Sequence, residues 1–469
     1  MGAVGSDAVQ AQVWGNRGLN VTDNIQTLVI GAGISGLSTA FFLQQQGHRV
    51  AVLEASGRAG GNVQTLTHEG FLLEAGPNTL LDNDPAIAAL IDGLGLRAEL
   101  REANPAANRR YVVRDGRAVP LPGSPPAFLT TPLFSPAAKF RLLAEPFIGR
   151  AAQEESVAEF VRRRLGQEFL DWAIDPFVSG VYAGDPARLS VRAATAKVYA
   201  LEREHGSLIL GALKKAFKAR KAEVQTTPVG HMFSFDRGLG QLIDALAARL
   251  GDALHLDTRV QGLQHTHDGW QVNTSQGAFV AQKVVLAVPA EVCAALLEPF
   301  LGVRVQPLRE IPYPPVMSVA LGFRREDVAH ALDGFGVLIP AKERVTTLGA
   351  LFSSTLFPGR APDGQVLLTV FIGGRRHEEV GAWDDAAIVA RVLADLEPIL
   401  GLRAAPLMTH VQRWSRAIPQ YELGHLERIA ALDEAMHHLQ GLVTRANWRD
   451  GVSVSDAIRN ALVIASTQT

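Results

Sequence analysis

The sequence has almost no cysteine, no long hydrophobic run and no excess of charge of one sign. Cys293 is the single cysteine among 469 residues, so an internal disulfide and a cysteine-ligated zinc site are excluded. No stretch reaches about 18 uninterrupted apolar residues, which argues against a membrane-spanning helix. Lys and Arg number 45 and Asp and Glu 47, so no overall field attracts nucleic acid. We expect a folded protein of a reducing compartment, without nucleic-acid partners.

The first 24 residues are polar, with one arginine and no apolar centre. They therefore lack the features of a secretory signal and of an arginine-rich transit peptide. We interpret residues 1–24 as a disordered leader.

A glycine-rich turn between a strand and a helix is the strongest local motif. Residues 27–30 are typical of a buried strand, and residues 35–46 are predicted to form a helix. Between them Gly31, Gly33 and Gly36 have the GxGxxG spacing, which serves a tight turn, close approach of a pyrophosphate and close helix packing. Glu54 follows about 20 residues later, where a carboxylate accepts hydrogen bonds from ribose hydroxyls. The pattern predicts a dinucleotide site.

Longer segments then point to one family. Arg58-Ala59-Gly60-Gly61-Asn62 resembles a loop of FAD-dependent amine oxidases, phytoene desaturases and protoporphyrinogen oxidases. Residues 175–186 (DPFVSGVYAGDP), 334–340 (GFGVLIP) and 446–454 (ANWRDGVSV) are more specific, and they resemble oxygen-dependent protoporphyrinogen oxidases of the cyanobacterial and plastid branch. The resemblance covers residues 25–469.

The resemblance implies an α/β fold in three parts. These are an FAD-binding Rossmann-like domain of the p-hydroxybenzoate-hydroxylase and amine-oxidase type, a substrate domain with a mixed sheet, and a helical membrane-binding region. The predicted FAD domain takes residues 25–104, 211–308 and 411–469. The predicted substrate domain takes 105–121 and 309–410, and the helical region takes 122–210.

The implied activity is an oxidation that uses FAD. It converts protoporphyrinogen IX to protoporphyrin IX in haem biosynthesis, with oxygen as the electron acceptor and hydrogen peroxide as the second product. The sequence has no second strand–GxGxxG–helix unit for a nicotinamide cofactor, which favours oxygen, a quinone or a protein carrier as the electron acceptor. Three alternatives stay open: oxidation of coproporphyrinogen III to coproporphyrin III, a carotenoid desaturase or amine oxidase, and a chaperone that binds FAD or porphyrin without catalysis.

The resemblance also assigns candidate site residues. Catalysis is expected to need no residue beyond the FAD, and no metal is expected. The candidate FAD-binding residues are Gly31, Gly33, Ile34, Ser35, Gly36, Glu54, Ala55, Arg58, Gly60, Gly61, Gly76, Pro77, Asn78, Thr79, Val260, Trp414, Val452, Ser453 and Val454.

The candidate substrate-binding residues are Arg110, Gly184, Leu338, Leu351 and Phe371. A guanidinium suits a propionate, because it is permanently charged and donates two parallel hydrogen bonds. Arg109 is adjacent, and a one-residue shift in the alignment would exchange it with Arg110. Leu338, Leu351 and Phe371 are expected either to hold the macrocycle or to be core residues of strands. Gly184, or the neighbouring Ala183, is expected to bring backbone close to the substrate.

Membrane contact is the remaining expectation. Phe128, Leu129, Leu133 and Phe134 lie among prolines in a loop predicted over residues 120–136. They are expected either to dip into a bilayer or to pack against a helix. We expect a cytoplasmic protein that lies peripherally on the inner face of the cytoplasmic membrane, and a homodimer.

Overall fold

A computed structural model describes residues 25–221 and 231–467, and the side chains of these residues except 215–221. The predicted leader, residues 1–24, lies outside the described residues. Two seven-stranded sheets organise the described chain. No helix of this part is long and apolar enough to cross a membrane, and its His, Cys, Asp and Glu residues form no metal-binding cluster.

The first sheet is built around the predicted strand–turn–helix unit. Strand Ile25–Ile30 pairs in parallel with Val50–Leu53 and with Gly277–Leu286. The strand order is Leu254–His255, Val50–Leu53, Ile25–Ile30, Gly277–Leu286, Gly269–Thr274 and Val260–Thr266, and Leu442–Thr444 pairs with Gly277–Leu286. Residues 256–259 connect strands Leu254–His255 and Val260–Thr266, which lie at opposite ends of the sheet.

Helices cover both faces of the first sheet. Val29 and Val52 point to a core shared with helices Ile34–Gln45, Pro85–Gly93, Gly240–Leu250 and Val454–Thr467. Leu28 and Leu53 point to the other core, against helices Ala290–Leu301 and His425–Met436. The sheet is therefore buried on both sides, as parallel strands require.

The second sheet is mixed and has one helix-covered face. The strand order is Met408–Trp414, Val316–Arg324, Gln365–Gly373, Thr347–Phe352, Gly334–Leu338, Arg109–Arg114 and Arg117–Pro120. Only Gly334–Leu338 and Arg109–Arg114 pair in parallel. Helix Asp385–Leu400 packs Ile388, Val392 and Leu396 onto one face. We call the opposite face of this sheet the open face; Phe71 and Leu73 pack on one end of it, against Ala320 and Leu367.

The helical region packs beside the open face. Its helices are Pro125–Thr130, Pro136–Arg141, Val157–Arg164, Gln167–Phe169, Leu170–Ile174, Asp175–Tyr182, Val191–Ala194, Ala196–His205 and Leu208–Lys221, with a 3₁₀ turn at Leu142–Phe147. The predicted loop over 120–136 is wrong in its centre, because Ser124 caps a short helix that starts with Pro125. Helix Val157–Arg164 begins with a capping box formed by Ser156 and Glu159.

Smaller elements join these units. Thr65–His68 pairs with Phe71–Glu74, and strands Leu80–Asp82, His231–Phe235 and Leu100–Glu102 form a third sheet. The shorter helices are Arg97–Glu99, Pro105–Asn108, Gly251–Ala253, Gly302–Val305, Gln306–Arg309, Arg325–Asp327, Ala341–Glu343, Ser353–Leu356 and Glu378–Ala382.

Two predicted domain boundaries cut through elements. The boundary at 410/411 divides strand Met408–Trp414, and the boundary at 210/211 divides helix Leu208–Lys221. Strand Met408–Trp414 was missed because polar residues dominate it and it lies at the edge of the sheet. The second sheet therefore extends to Trp414.

Candidate cofactor and substrate site

The glycine loop has the geometry that its spacing predicts. Gly31 has φ +102°, and a Cβ there would lie 2.6 Å from the carbonyl oxygen of Ala287. A Cβ on Gly36 would lie 1.9 Å from the Gly31 carbonyl oxygen, so the helix packs directly on the turn. A Cβ on Gly33 would meet nothing within 4 Å. The turn is thus tight on its inner side and open at Gly33, where a pyrophosphate would approach.

A second loop closes against the first. The Gly60 N–H donates to the Ala32 carbonyl at 2.7 Å, and Gly61 lies so close that a Cβ would be 3.2 Å from the Gly33 Cα. The Glu54 carboxylate accepts hydrogen bonds from the Ala32 N–H at 2.8 Å and the Ser56 N–H at 2.9 Å. Glu54 therefore holds the glycine loop in place, and its contact with a ribose stays a prediction.

Arg58 and Ala55 lie on the same second loop. The Arg58 guanidinium is exposed and donates to the carbonyls of Ala59 and Gly61. It therefore braces the loop that faces Gly33. Ala55 is exposed directly after Glu54. Contact of either residue with FAD stays a prediction.

Two helices begin at the same edge of the first sheet. Helix Ile34–Gln45 follows a parallel strand, and so does Val454–Thr467, through the turn after Leu442–Thr444. The first N–H groups of each helix, including those of Ile34, Ser35 and Val454, have no carbonyl acceptor within their own helix. These groups are suited to phosphate oxygens. The Ser453 hydroxyl accepts the Asp456 N–H at 3.0 Å, so it is the N-cap, as predicted.

Val260 and Val452 were predicted to contact FAD beside this edge. Val260 begins strand Val260–Thr266, and its side chain packs partly buried on the first core. That packing is the structural role expected of a valine, while its backbone contact with adenine stays a prediction. Val452 lies half-buried in the turn before the last helix.

The loop 76–79 meets the second sheet. A Cβ on Gly76 would lie 2.0 Å from the Asn62 carbonyl oxygen, so this backbone passes directly over the second loop. The Asn78 amide donates to the Gly76 carbonyl at 2.9 Å. The Trp414 indole donates to the Ala75 carbonyl at 2.8 Å. Trp414 therefore joins the cofactor loops to the edge of the second sheet, and Pro77 and Thr79 lie half-buried between them.

Strand register brings four predicted substrate residues together on the open face. Leu338 lies opposite Gly349, which lies opposite Phe371. In the adjacent row Arg110 lies opposite Gly336, which lies opposite Leu351. Directly opposite residues share a face. Two glycines thus separate the larger side chains, and these half-buried side chains form an apolar floor with a guanidinium at one end.

The same alternation separates Arg110 from Arg109. Arg109 and Tyr111 point to the helix-covered face, where both bond to Asp333. Arg110 is exposed on the open face, with its guanidinium 5.4 Å from the ring centre of Phe335. No carboxylate of the described residues forms an ion pair with Arg110. Arg110 is therefore the arginine available to an anionic ligand.

Helix Asp175–Tyr182 and the turn after it border this floor. A Cβ on Gly180 would lie 2.4 Å from a methyl of Leu338, so the helix rests on that residue. Ala183 has φ +48° and packs in a cluster with Phe371. A Cβ on Gly184 would instead meet Gln420 at 2.6 Å and Leu189 at 2.9 Å. The structure therefore places Ala183, rather than the predicted Gly184, beside the apolar floor.

A buried ion pair at the domain junction escaped prediction. Glu74 and Arg360 are each 4% exposed at the side chain and lie 3.0 Å apart. Burial raises the pKa of Glu74, while Arg360 and the Thr65 hydroxyl oppose that shift. Arg360 also donates to the Ser234 hydroxyl at 2.7 Å. The pair joins the hairpin that ends at Glu74 to the loop before strand Gln365–Gly373 of the second sheet. It could not be predicted, because the two residues lie far apart in the sequence.

His425 is a second residue that the sequence reasoning missed. Its ring is 1% exposed and stacks on Tyr421, with centroids 4.1 Å apart. Burial, with a smaller contribution from the nearby Arg428, lowers the pKa of His425 to about 4. No sequence pattern signals this, because the stack forms only when the chain after Tyr421 turns into a helix.

Acid should destabilise the fold through His425. Its pKa is 6.5 when unperturbed and about 4 in the fold, so the unfolded chain binds the extra proton as the pH falls between these values. The free energy of unfolding should drop over that window by up to about 3 kcal/mol. His425→Phe keeps the stack and should remove this part of the pH dependence in urea unfolding. Equal slopes in both proteins would contradict the assignment.

Comparison with known proteins identifies the family. The model of flavin-containing amine oxidoreductases matches residues 34–459. This chain belongs to that family. Protoporphyrinogen oxidase 2 of Arabidopsis thaliana is 34% identical, over 92% of this chain and 91% of that protein. The chloroplastic protoporphyrinogen oxidase of Oryza sativa subsp. japonica is 36% identical, over 94% and 87%. These relatives place the chain with the protoporphyrinogen oxidases of the family.

Other relatives are similar over the same span. Coproporphyrinogen III oxidase of Bacillus subtilis (strain 168) is 29% identical, over 92% of this chain and 95% of that protein. A solved structure from Exiguobacterium sp. 255-15 has a TM-score of 0.80 and 23% identity, over 96% of this chain and 99% of that one. A putrescine oxidase bound to putrescine has a TM-score of 0.72 and 20% identity, over 95% and 99%. The α/β flavoenzyme fold is thus confirmed.

The site fits the cofactor of this family. The open space at Gly33, the close packing at Gly31 and Gly36 and the two helix N-termini together suit a dinucleotide pyrophosphate. The chain is an FAD-dependent oxidoreductase. Its individual FAD contacts stay predictions.

Proposed function

We propose that this flavoenzyme oxidises protoporphyrinogen IX to protoporphyrin IX, with oxygen as electron acceptor. The reaction removes six electrons and six hydrogens from the macrocycle and reduces three oxygen molecules to three of hydrogen peroxide. The observation that carries the proposal is the joint position of Arg110, Leu338, Leu351 and Phe371 on one sheet face. The names of the curated relatives agree with this substrate class.

The residues of this face have distinct roles. Leu338, Leu351 and Phe371 offer apolar surface to the flat macrocycle. Arg110 binds a propionate at the exposed end and so fixes which edge of the ring points inward. When bound, FAD supplies the two-electron oxidation chemistry. The protein contributes orientation, because Trp414 connects the open face to the loop 75–79.

Charge at the site favours a substrate with few propionates. Among the described residues Arg110 has no ion-pair partner, whereas Arg376 pairs with Asp175 and Arg375 pairs with Glu422. Arg375 and Arg376 closely follow the strand that carries Phe371, and their partners neutralise them. Coproporphyrinogen III has four propionates and would need more unpaired cations. We therefore favour protoporphyrinogen, while relatives named coproporphyrinogen III oxidase make the second substrate an essential comparison.

One assay tests the function directly. Purified yellow protein is given protoporphyrinogen IX or coproporphyrinogen III, in air and under anaerobic conditions, while porphyrin fluorescence and peroxide are followed. We expect a higher kcat/KM for protoporphyrinogen and three peroxides per porphyrin in air. A preference for coproporphyrinogen would overturn the substrate assignment, and turnover without oxygen would overturn the acceptor. FAD binding without turnover of either would favour the chaperone alternative.

Membrane association is proposed for the helical region, at a site other than the predicted loop. Leu133 and Phe134 are buried, and Phe134 stacks on Phe169 at 4.2 Å, so these residues belong to the core. Phe128 also packs there. The most exposed large apolar side chains that the structure describes in this region are Leu129, Phe140, Leu143 and Phe147, each 71–89% exposed. The last three recur at helical spacing, as expected of an apolar stripe that dips into a bilayer.

Vesicle flotation tests this stripe. The protein should float with phosphatidylcholine–phosphatidylglycerol vesicles, and Phe147→Glu combined with Phe140→Glu should abolish flotation while fluorescence turnover in detergent persists. The control is Val303→Glu, because Val303 is 89% exposed, as Phe147 is, but lies outside the helical region. Flotation of the double variant would contradict the proposal, and with it the peripheral location on a cytoplasmic membrane.

A further inference from the structure

A short segment between the second sheet and helix His425–Met436 connects the substrate floor to the cofactor edge. This segment, residues 415–424, follows Trp414 and precedes helix His425–Met436. Two neighbouring side chains on it, Gln420 and Tyr421, are 1% and 6% exposed. Their side chains form hydrogen bonds with different loops, so each of the two residues holds a different part of the site.

Gln420 holds the turn beside the apolar floor. Its amide donates to the carbonyls of Tyr182 and Ile418, each at 2.9 Å. Its own amide oxygen lies 2.6 Å from the position that a Cβ of Gly184 would take. Ala183, which lies between Tyr182 and Gly184, packs against Phe371. Gln420 thus fixes the distance between this turn and the apolar floor.

Tyr421 holds the turn that leads into the last helix. Its hydroxyl donates to the Asn447 carbonyl and accepts the Gly451 N–H at 2.8 Å. Gly451 has φ +117°, and helix Val454–Thr467 begins three residues later. The Asn460 amide also donates to the Asp450 carbonyl at 2.6 Å. One hydroxyl therefore satisfies both ends of a five-residue turn.

We infer that Tyr421 is a positioning residue whose hydroxyl, with the neighbouring Gln420, sets the separation between the substrate floor and the cofactor-facing N-terminus of the last helix. The stack on His425 fixes the ring, and the hydroxyl fixes the turn. The effect of Tyr421 on substrate turnover rests on the proposed function. Its effect on FAD affinity does not.

Tyr421→Phe tests the inference, because it keeps the ring and removes only the hydroxyl. Asn447 and Gly451 then lose their partner, and the turn should relax. We expect the dissociation constant of FAD, titrated into flavin-free protein, to rise about tenfold. In the holoenzyme kcat should fall about tenfold while KM changes less than about twofold, since orientation is lost rather than substrate contact. If Tyr421→Phe purifies colourless, the same titration measures its FAD affinity.

Tyr111→Phe is the matched control. Its ring is also buried and its hydroxyl also hydrogen-bonded, to Asp333 at 2.6 Å, but on the helix-covered face of the second sheet. Both variants should lower the unfolding temperature, and only Tyr421→Phe should weaken FAD binding. Equal FAD affinity in both variants would overturn the inference. If wild-type protein binds FAD but oxidises no porphyrinogen, the proposed function fails, while the titration still decides the role of Tyr421.

Discussion

Arg110→Met should raise the KM for protoporphyrinogen about 10- to 100-fold, the cost of losing a charge-assisted, bidentate contact with a propionate. The FAD content should stay unchanged, because Arg110 lies on the open face of the second sheet, away from the glycine loop. The measurement is initial-rate porphyrin fluorescence over a range of substrate, with flavin absorbance measured on the same preparation.

Arg109→Met is the control for this change. Arg109 points to the helix-covered face and pairs with Asp333 at the exposed surface, where an ion pair contributes little to stability. We expect its KM to stay within about twofold of wild type. An Arg110→Met enzyme with an unchanged KM would reject the propionate contact. A raised KM in Arg109→Met alone would mean that Arg109, and not Arg110, is the arginine that binds the propionate.

Gly33→Val should give a folded protein without FAD. The backbone at Gly33 has φ −71° and ψ 173°, a conformation that valine adopts readily. No atom other than those of the neighbouring residues lies within 4 Å of the new Cβ, so we expect the apoprotein to fold. The branched side chain would fill the space where the pyrophosphate must approach. We expect a colourless protein whose FAD affinity falls more than about 100-fold, measured by titration with FAD.

Gly149→Val is the matched control for the valine. A Cβ on Gly149 also meets nothing within 4 Å, and this exposed residue lies in the helical region. That variant should stay yellow. A yellow, active Gly33→Val enzyme would show that the dinucleotide binds elsewhere, whereas misfolding of this variant alone would show that the loop is tighter than the structure has it.

Local patterns predicted the parts of the site that local chemistry determines. The GxGxxG turn, the two parallel strands around it and the cap at Ser453 all follow from residues a few positions apart. The second sheet was predicted in part for the same reason, since strands Val316–Arg324 and Gln365–Gly373 are rich in β-branched and apolar residues.

Register and distant contacts could not be predicted in this way. Arg109 and Arg110 are equivalent in sequence, and only pairing with Gly334 and Gly336 shows which faces the open side. The Glu74–Arg360 pair joins residues far apart in the chain.

Exposure within the helical region was also beyond the sequence. Phe134 and Phe147 are both phenylalanines near prolines, yet one is 4% and the other 89% exposed. The difference in exposure depends on which helix packs over each ring. Phe169 stacks on Phe134 but not on Phe147.

The most direct test of the whole account is a crystal structure of the FAD-loaded enzyme with protoporphyrin IX bound. We expect the macrocycle to lie flat against Leu338, Leu351 and Phe371, with one propionate on the Arg110 guanidinium and the flavin ring beside the loop 76–79. A porphyrin bound away from this sheet face, with Arg110 in contact with solvent alone, would contradict it.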